Sequence, residues 1–571
     1  MLIQQTVVAN EKSELYFRGG VADGGKIALR AGEALSFDTY FNSFTYTKYR
    51  DYTVLRSVSY AARVSAEVEM LLKTYDGVEE KTVASSQGAG DVKVTVDITE
   101  LPEGAFLYAE IIAKEDVEFI SGGWYADVTP VERPRIAIGF CTYKREEYIL
   151  NNLEVLKGAD IPFLEKIIVV DNGNTLDKEE LDGELVSVYP NYNFGGSAGF
   201  TRAIIEAKRQ GFSHVILMDD DVLIFPEALM RMSVFVSILR PEHKSAHLSA
   251  AMLTASNIAV QYEKGGAWNG AYIESLNSGI DVTQREALVA NLTDGDIRYG
   301  AWWCFCLPLS DVDEFGLPLP LFIKFDDVEY GIRTCSAAPI LTMSGMAVAH
   351  ADFDLKYSMH LEYYAVRNQL IMLASHGRLN RFSCLSRLVR ISAKYLFMYR
   401  YDAAPIIIRA FSDFLSGADF IKETNAEELN RSIMAMAPPA SSLSEIPEWR
   451  EEIRGQYKQG RSSIARRAFA AVTLGGHIFP SFLLSSKTSF APLTKTKADD
   501  CFLRRRTVQY QIGADSGYVL EKNSPRFFRS VTAMIKMAFR ILFGYGKAAR
   551  SYQRGFSELT SESFWRDYLN I

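Results

Sequence analysis

Three consecutive aspartates, Asp219-Asp220-Asp221, follow the apolar stretch Val-Ile-Leu-Met and are the clearest candidates for chemistry in this chain. In extended chain, residues i and i+2 point to the same side. Asp219 and Asp221 can therefore converge on one cation while Asp220 points away. Hard oxygen ligands suit Mg²⁺ or Mn²⁺, ions that typically bridge protein carboxylates and substrate phosphates. Short acidic runs are also common as solvated turns, so the surroundings of this one decide its reading.

Other residues offer complementary chemistry. Asp171 ends the run KIIVVDNG and can accept a hydrogen bond from a nucleobase or ribose, or can simply set the turn. The loop Asn191-Tyr-Asn-Phe-Gly-Gly-Ser-Ala-Gly199 contains Asn193 and leads into a helical pattern containing Arg202. Its glycines allow a backbone to approach a ligand closely, and a helix N-terminus favours phosphate. It is neither a Walker loop nor a GxGxxG loop. Asp326 and Asp327 close the apolar run FIKF and precede a helical pattern. A carboxylate there suits a general base for a sugar hydroxyl or a helix cap. His350, in GMAVAH, could complete a Mn²⁺ or Zn²⁺ site, although a lone histidine is as readily structural. Trp302 and Trp303 are two of only six tryptophans, and fit either a sugar-stacking wall or a core.

The elements that must position these residues change character along the chain. Residues 1–130 carry short alternating runs (KIALRAG, AEVEMLLKTY, DVKVTVDIT, AFLYAEIIAK) between Gly, Asp, Asn and Pro turns, the pattern of a β-sandwich. TPVERPR, 129–135, reads as a linker. Residues 131–380 alternate strands with helices, which predicts a Rossmann-like, mostly parallel sheet covered on both faces. TYKRE, DNGN, NYNFGGS and DDD all fall at the carboxyl ends of those strands, where ligands bind in such sheets. Residues 381–571 read as helical and basic, and Ser524–Ser557 has no acidic residue.

Composition narrows the class. With 571 residues the chain is too long for one core. A net charge of -8 excludes general nucleic-acid binding, which needs a basic footprint. The six cysteines show no CxxC pair or zinc spacing and read as reduced thiols. No signal-peptide pattern and no run of about eighteen uninterrupted apolar residues is present. These features lead us to expect a cytoplasmic protein, either soluble or peripheral on the inner face of the membrane.

Taken in order, TYKR, VVDNG, the glycine loop with arginine, DDD, WW, FDD and the late histidine resemble the GT-A fold, inverting glycosyltransferases of family 2. NxNFGGSAGFTR, AWW, FIKFDD and GMAVAH are most similar to the polymerising galactofuranosyltransferases of mycobacterial galactan synthesis. That group also has an N-terminal β-sandwich, a central GT-A domain and a helical, basic C-terminal region. The resemblance implies Asp219, Asp221 and His350 as ligands of Mn²⁺ or Mg²⁺, and Asp327, with Asp326 beside it, as catalytic base. It implies donor contacts from Thr142, Arg145, Asp171, Asn193, Arg202 and Asp220, and a substrate pocket shaped by Trp302 and Trp303. The implied partners are a UDP-sugar donor and a glycan or lipid-linked acceptor. The basic C-terminal helices add contact with an anionic membrane surface, and monomer and homo-oligomer remain open.

Other readings of the same residues are a transferase of rhamnose, glucose or galactopyranose, a nucleotidyltransferase, and a non-catalytic glycan-binding scaffold. A scaffold would have lost metal or base carboxylates, and both sets are present. A nucleotidyltransferase would carry a stronger phosphate-gripping signature early in the sheet than TYKR provides. A glycosidase needs neither a metal set nor a diphosphate loop.

Overall fold

A computed structural model describes residues 1–270, 272–351, 358–457 and 463–571. The chain divides into two compact units. One comprises Met1–Leu319, Asp327–Ala351 and Ile571; the other comprises Pro320–Asp326 and Asp352–Asn570. The regions expected at 1–130 and 131–380 thus largely share a unit, and the second unit begins well before residue 381.

The first unit opens with eight strands joined in one hydrogen-bonded sheet. Its spine is the strand Ser57–Tyr75, paired along its length with Glu80–Asp97. On its other edge the spine pairs with Val117–Tyr125 near its start and with Phe106–Ala113 near its end. Register shifts near Val64 separate those two stretches, so a single long strand belongs to both halves of the sheet. The expected sandwich was read from alternation alone, which reports one buried face per strand and not how the halves are joined.

A second sheet carries the candidate chemistry. We number its strands β1 (Ile136–Thr142), β2 (Leu164–Asp171), β3 (Val186–Pro190), β4 (His214–Asp219), β5 (His247–Ser249), β6 (Cys304–Pro308) and β7 (Ile340–Leu341). Their spatial order is 3-2-1-4-6-5-7. The pairs β3–β2, β2–β1 and β1–β4 are parallel, and β6 runs antiparallel between β4 and β5. Ile136, Ile138, Ile168, Val170, Ile216 and Met218 are almost wholly buried, as expected for strands covered on both faces. Register aligns Asp171 with Thr142 and with Pro190, and Asp219 with Cys141. The last residues of four parallel strands therefore share one edge.

Helices Glu146–Lys157 and Gly195–Arg209 form the connections β1–β2 and β3–β4. The second lies hard against the sheet, because a side chain at Gly199 would meet Cys141 Sγ at 2.2 Å. Beside this sheet, Val222–Ile224 pairs antiparallel with Ala347–His350, which pairs parallel with Ala251–Thr254.

The second unit contains helices Met359–Ser375, Arg381–Phe397, Ala403–Leu415 and Ser524–Leu559 among others. It is not helical throughout. Ser489–Pro492, Arg506–Tyr510 and Gly517–Glu521 form a three-stranded sheet, packed with Leu443, Ile446 and Trp449. RTVQY and GYVLE carry β-branched and aromatic residues in short alternating runs, a signal that the basic helices around them obscure. Among the described residues no helix is long and apolar enough to cross a membrane.

Candidate active site

Asp219 is the last residue of β4 and Asp221 lies just before the strand Val222–Ile224. Pairing places His350 opposite Val222, so the histidine arrives beside the acidic run from the far end of a sheet pairing. One ligand atom from each of Asp219, Asp221 and His350 lies within 4.8 Å of the other two. His350 Nδ1 donates to the Ala351 carbonyl at 2.6 Å, and Nε2 stands 3.1 Å from Asp221 Oδ1. A backbone carbonyl can only accept, so this bond fixes the ring and turns Nε2 toward the carboxylates.

The electrostatics favour a cation. Burial raises the Asp219 carboxyl well above the ordinary carboxylate range; His350 opposes this, while Asp221, Asp220 and Asp327 add to it. Two carboxylates and an imidazole fit Mn²⁺ or Mg²⁺, and a divalent charge there would offset the mutual repulsion of the acids.

Asp220 points the other way and is fully engaged. Thr142 Oγ1 donates to its Oδ2 at 2.7 Å, Arg145 Nη1 lies 3.1 Å from its Oδ1, and Asn152 Nδ2 holds its backbone carbonyl at 2.9 Å. The same Arg145 nitrogen is 2.7 Å from Asp221 Oδ2. Lys144, in left-handed backbone at φ 54°, turns the chain just before Arg145. Thr142, Arg145 and Asp220 therefore form a clamp, tied to Asp221 through Arg145. That differs from the direct donor contacts expected of them.

Asp171 is also occupied. Its Oδ1 accepts from Gly173 N at 2.8 Å, and its Oδ2 accepts from Thr175 N at 2.7 Å and Leu176 N at 2.8 Å. The carboxylate shapes the loop after β2, the turn role left open in the sequence. Asn193 Oδ1 accepts from Gly195 N at 3.2 Å and sets the entry to the glycine-led helix. Gly195 itself sits at φ 82°, which side chains rarely adopt. Arg202 lies two turns further on, paired with Glu206 at 2.8 Å and stacked over the Tyr189 ring. Glu206 is shared with Arg209, also at 2.8 Å.

The tryptophan pair is core. Trp302 and Trp303 are 3% and 5% exposed. Trp302 packs edge-on against Phe200 and Tyr330, and Trp303 Nε1 donates to the Ala250 carbonyl at 2.9 Å. A stacking wall needs an open ring face, and these rings are covered.

Asp326 and Asp327 open the helix Asp326–Thr334. Asp327 Oδ1 accepts from Val328 N at 2.7 Å, and its charge reaches both Asp219 and a residue that sequence reasoning missed, Glu263. Glu263 is buried, accepts from Ser275 Oγ, and lies 3.5 Å from Tyr299 OH. Burial pushes it up to about 7; the Ser275 bond lowers it and the Asp327 charge raises it. It ends the strand Asn257–Glu263, in which Ala259, Gln261 and Glu263 are the buried alternate positions. An acid on the inward face of an alternating strand was the available signal.

Residues 6–127 match the family described as galactofuranosyltransferase 2, N-terminal. The chain is 23% identical to galactofuranosyltransferase GlfT2 of Mycolicibacterium smegmatis, over 94% of this chain and 88% of that one. It is 25% identical to galactofuranosyltransferase GlfT2 of Mycobacterium tuberculosis, over 69% and 67% of the two chains. Among solved structures, it is similar to a mannosyltransferase from Pyrobaculum calidifontis in complex with GDP-Man and Mn²⁺. That likeness has 14% identity, covers 54% of this chain and 86% of the other, and has a TM-score of 0.30. Over most of its length the chain is thus similar to the mycobacterial galactofuranosyltransferases.

Proposed function

We propose that this chain is an inverting, metal-dependent transferase of GT-A architecture. It moves galactofuranose from UDP-galactofuranose to a hydroxyl of a growing cell-surface glycan or lipid-linked acceptor. The observation that carries the reading is the meeting of Asp219, Asp221 and His350 at the end of a parallel strand, within electrostatic reach of Asp327. The similarity to galactofuranosyltransferases supports the choice of sugar, and the 3-2-1-4-6-5-7 sheet supports the architecture.

Asp219, Asp221 and His350 would hold Mn²⁺ or Mg²⁺, which when bound supplies Lewis-acid stabilisation of a departing diphosphate. Asp220, Thr142 and Arg145 keep the acids aimed, and the loop Asn191–Gly199 offers the N-terminus of a helix to phosphate. Asp327 takes the proton of the acceptor hydroxyl as that oxygen attacks the anomeric carbon. A single displacement of this kind, through a transition state of oxocarbenium character, inverts the configuration. Glu263 and Tyr299, beside Asp327, are suited to hold acceptor hydroxyls.

The second unit supports a peripheral membrane role on the cytoplasmic face. On the helix Ser524–Leu559, Phe528, Ile535, Phe539 and Phe543 are exposed at helical spacing, Phe543 at 85%. Exposed Arg529, Lys536, Arg540 and Lys547 flank that stripe. Apolar side chains beside cations match an anionic lipid surface, where a lipid-linked acceptor would be presented.

A donor screen tests the proposal: UDP release and sugar transfer from UDP-galactofuranose beside UDP-galactopyranose, UDP-glucose and dTDP-rhamnose. UDP-galactofuranose should give the highest kcat/KM by at least tenfold. Preference for another donor would replace the sugar assignment and leave the metal chemistry standing.

A further inference from the structure

The peptide that delivers Asp326 and Asp327 is held in an unusual path. Phe322, Lys324 and Phe325 all lie in left-handed backbone, with φ of 73°, 67° and 70°. None is glycine, and bulky residues in this region are uncommon and costly. A chain released from its surroundings would relax away from such a path, carrying the following two carboxylates with it.

One buried amide opposes that relaxation. Asn368, on the helix Met359–Ser375, is fully buried. Its Nδ2 lies 3.0 Å from the Leu321 carbonyl, 2.8 Å from that of Ile323 and 2.9 Å from that of Lys324. These oxygens belong to the left-handed segment and its approach, so a single NH₂ group gathers three of its carbonyls.

The orientation of that amide is set in turn. Arg367 Nε donates to Asn368 Oδ1 at 2.9 Å, so the oxygen faces the guanidinium and the nitrogen faces the loop. Arg367 Nη2 adds a bond to the Leu321 carbonyl at 3.0 Å. The guanidinium stacks over the rings of Tyr363 and Tyr364, and Tyr363 OH is anchored to Asp413 Oδ2 at 2.6 Å. Phe322 stacks on Tyr364 with centroids 5.1 Å apart.

We propose that Asn368, oriented by Arg367, is a positioning residue for glycosyl transfer: its amide holds the left-handed Leu321–Phe325 segment and thereby fixes Asp327. This rests on the reading of Asp327 as base. Neither residue is expected to touch substrate or metal, so their contribution should fall on the transfer step and spare binding of nucleotide and cation.

Asn368→Asp gives the sharpest test, because it conserves shape and the oxygen facing Arg367 but replaces the donor nitrogen with an acceptor. Its kcat should fall at least tenfold, with the Kd for UDP in the presence of Mn²⁺ within twofold of wild type. In that background Lys324→Gly, which adopts a positive φ without penalty, should restore kcat at least fivefold. A wild-type kcat in Asn368→Asp, an equal loss of UDP affinity, or no recovery with Lys324→Gly would each overturn the proposal. Asp327→Asn is run alongside. If it is inactive while Asn368→Asp behaves as wild type, positioning fails and the base stands. If Asp327→Asn transfers at the wild-type rate, the base reading fails and the positioning claim falls with it.

Discussion

His350 Nε2 stands 3.1 Å from Asp221 Oδ1, although the two residues lie 129 positions apart in sequence. The antiparallel pairing of Val222–Ile224 with Ala347–His350 brings the two together. Arg145 pairs with Asp220 and Asp221 at that junction, while burial and the neighbouring acids raise Asp219.

Thermal stability should report this directly. Wild-type protein should gain several degrees in Tm at millimolar Mn²⁺, since a ligand that binds only the folded state stabilises it. Asp219→Asn should start from an equal or higher Tm without metal, because one buried negative charge is gone, and should show little Mn²⁺ shift. An unchanged Mn²⁺ shift in this variant would remove Asp219 from the ligand set.

Asp171 should behave as a loop-former. Asp171→Ala leaves three partly buried backbone N–H groups without their acceptor, and should cost about 1–2 kcal/mol of stability in chemical denaturation. Wild-type stability combined with a large loss of UDP affinity would instead make Asp171 a direct donor contact.

Glu263 gives a pH signature. Its folded value, near 7, is raised above the ordinary glutamate value of 4.5, so the folded state holds a proton that the unfolded state releases. Wild-type stability from this group therefore falls as pH rises from about 4.5 to about 7 and is level beyond. Glu263→Gln removes that slope. Relative to wild type, its Tm should be higher at pH 8 than at pH 5, equivalent to at most about 3 kcal/mol. The same difference at both pH values would contradict a raised Glu263.

The exposed stripe predicts salt-dependent membrane binding. Wild type should co-sediment with anionic vesicles at low salt and less at high salt. Phe539→Glu with Phe543→Glu should abolish sedimentation while leaving turnover on a water-soluble acceptor within twofold. No binding of wild type at low salt would end the idea.

The residues differ in how far the sequence alone exposed them. Asp219, Asp221 and His350 were legible as a group because their types, their order and the ends of apolar strands all pointed to one place. The alternation of strand and helix from Ile136 to Asp219 was equally plain, since the strands are buried on both faces. Asp171, Asp220 and the Trp302-Trp303 pair were legible as important but not in role. A sequence shows a carboxylate or a ring, not the backbone amides or side chains that occupy it. Glu263 and Asn368 were missed: the first because a single inward acid is lost among hydrophobic alternation, the second because its partners are three carbonyls of a distant loop. The small sheet near Val508 was masked by the basic helices on either side.

The central claim is that sugar transfer needs the cation held by Asp219, Asp221 and His350. The most direct measurement is transfer of labelled galactofuranose from UDP-galactofuranose to a hydroxyl acceptor by the full chain in Mn²⁺, after chelation, and after Mn²⁺ is restored. The account predicts at least a hundredfold loss on chelation and full recovery on restoration. Undiminished transfer in the presence of chelator would contradict it.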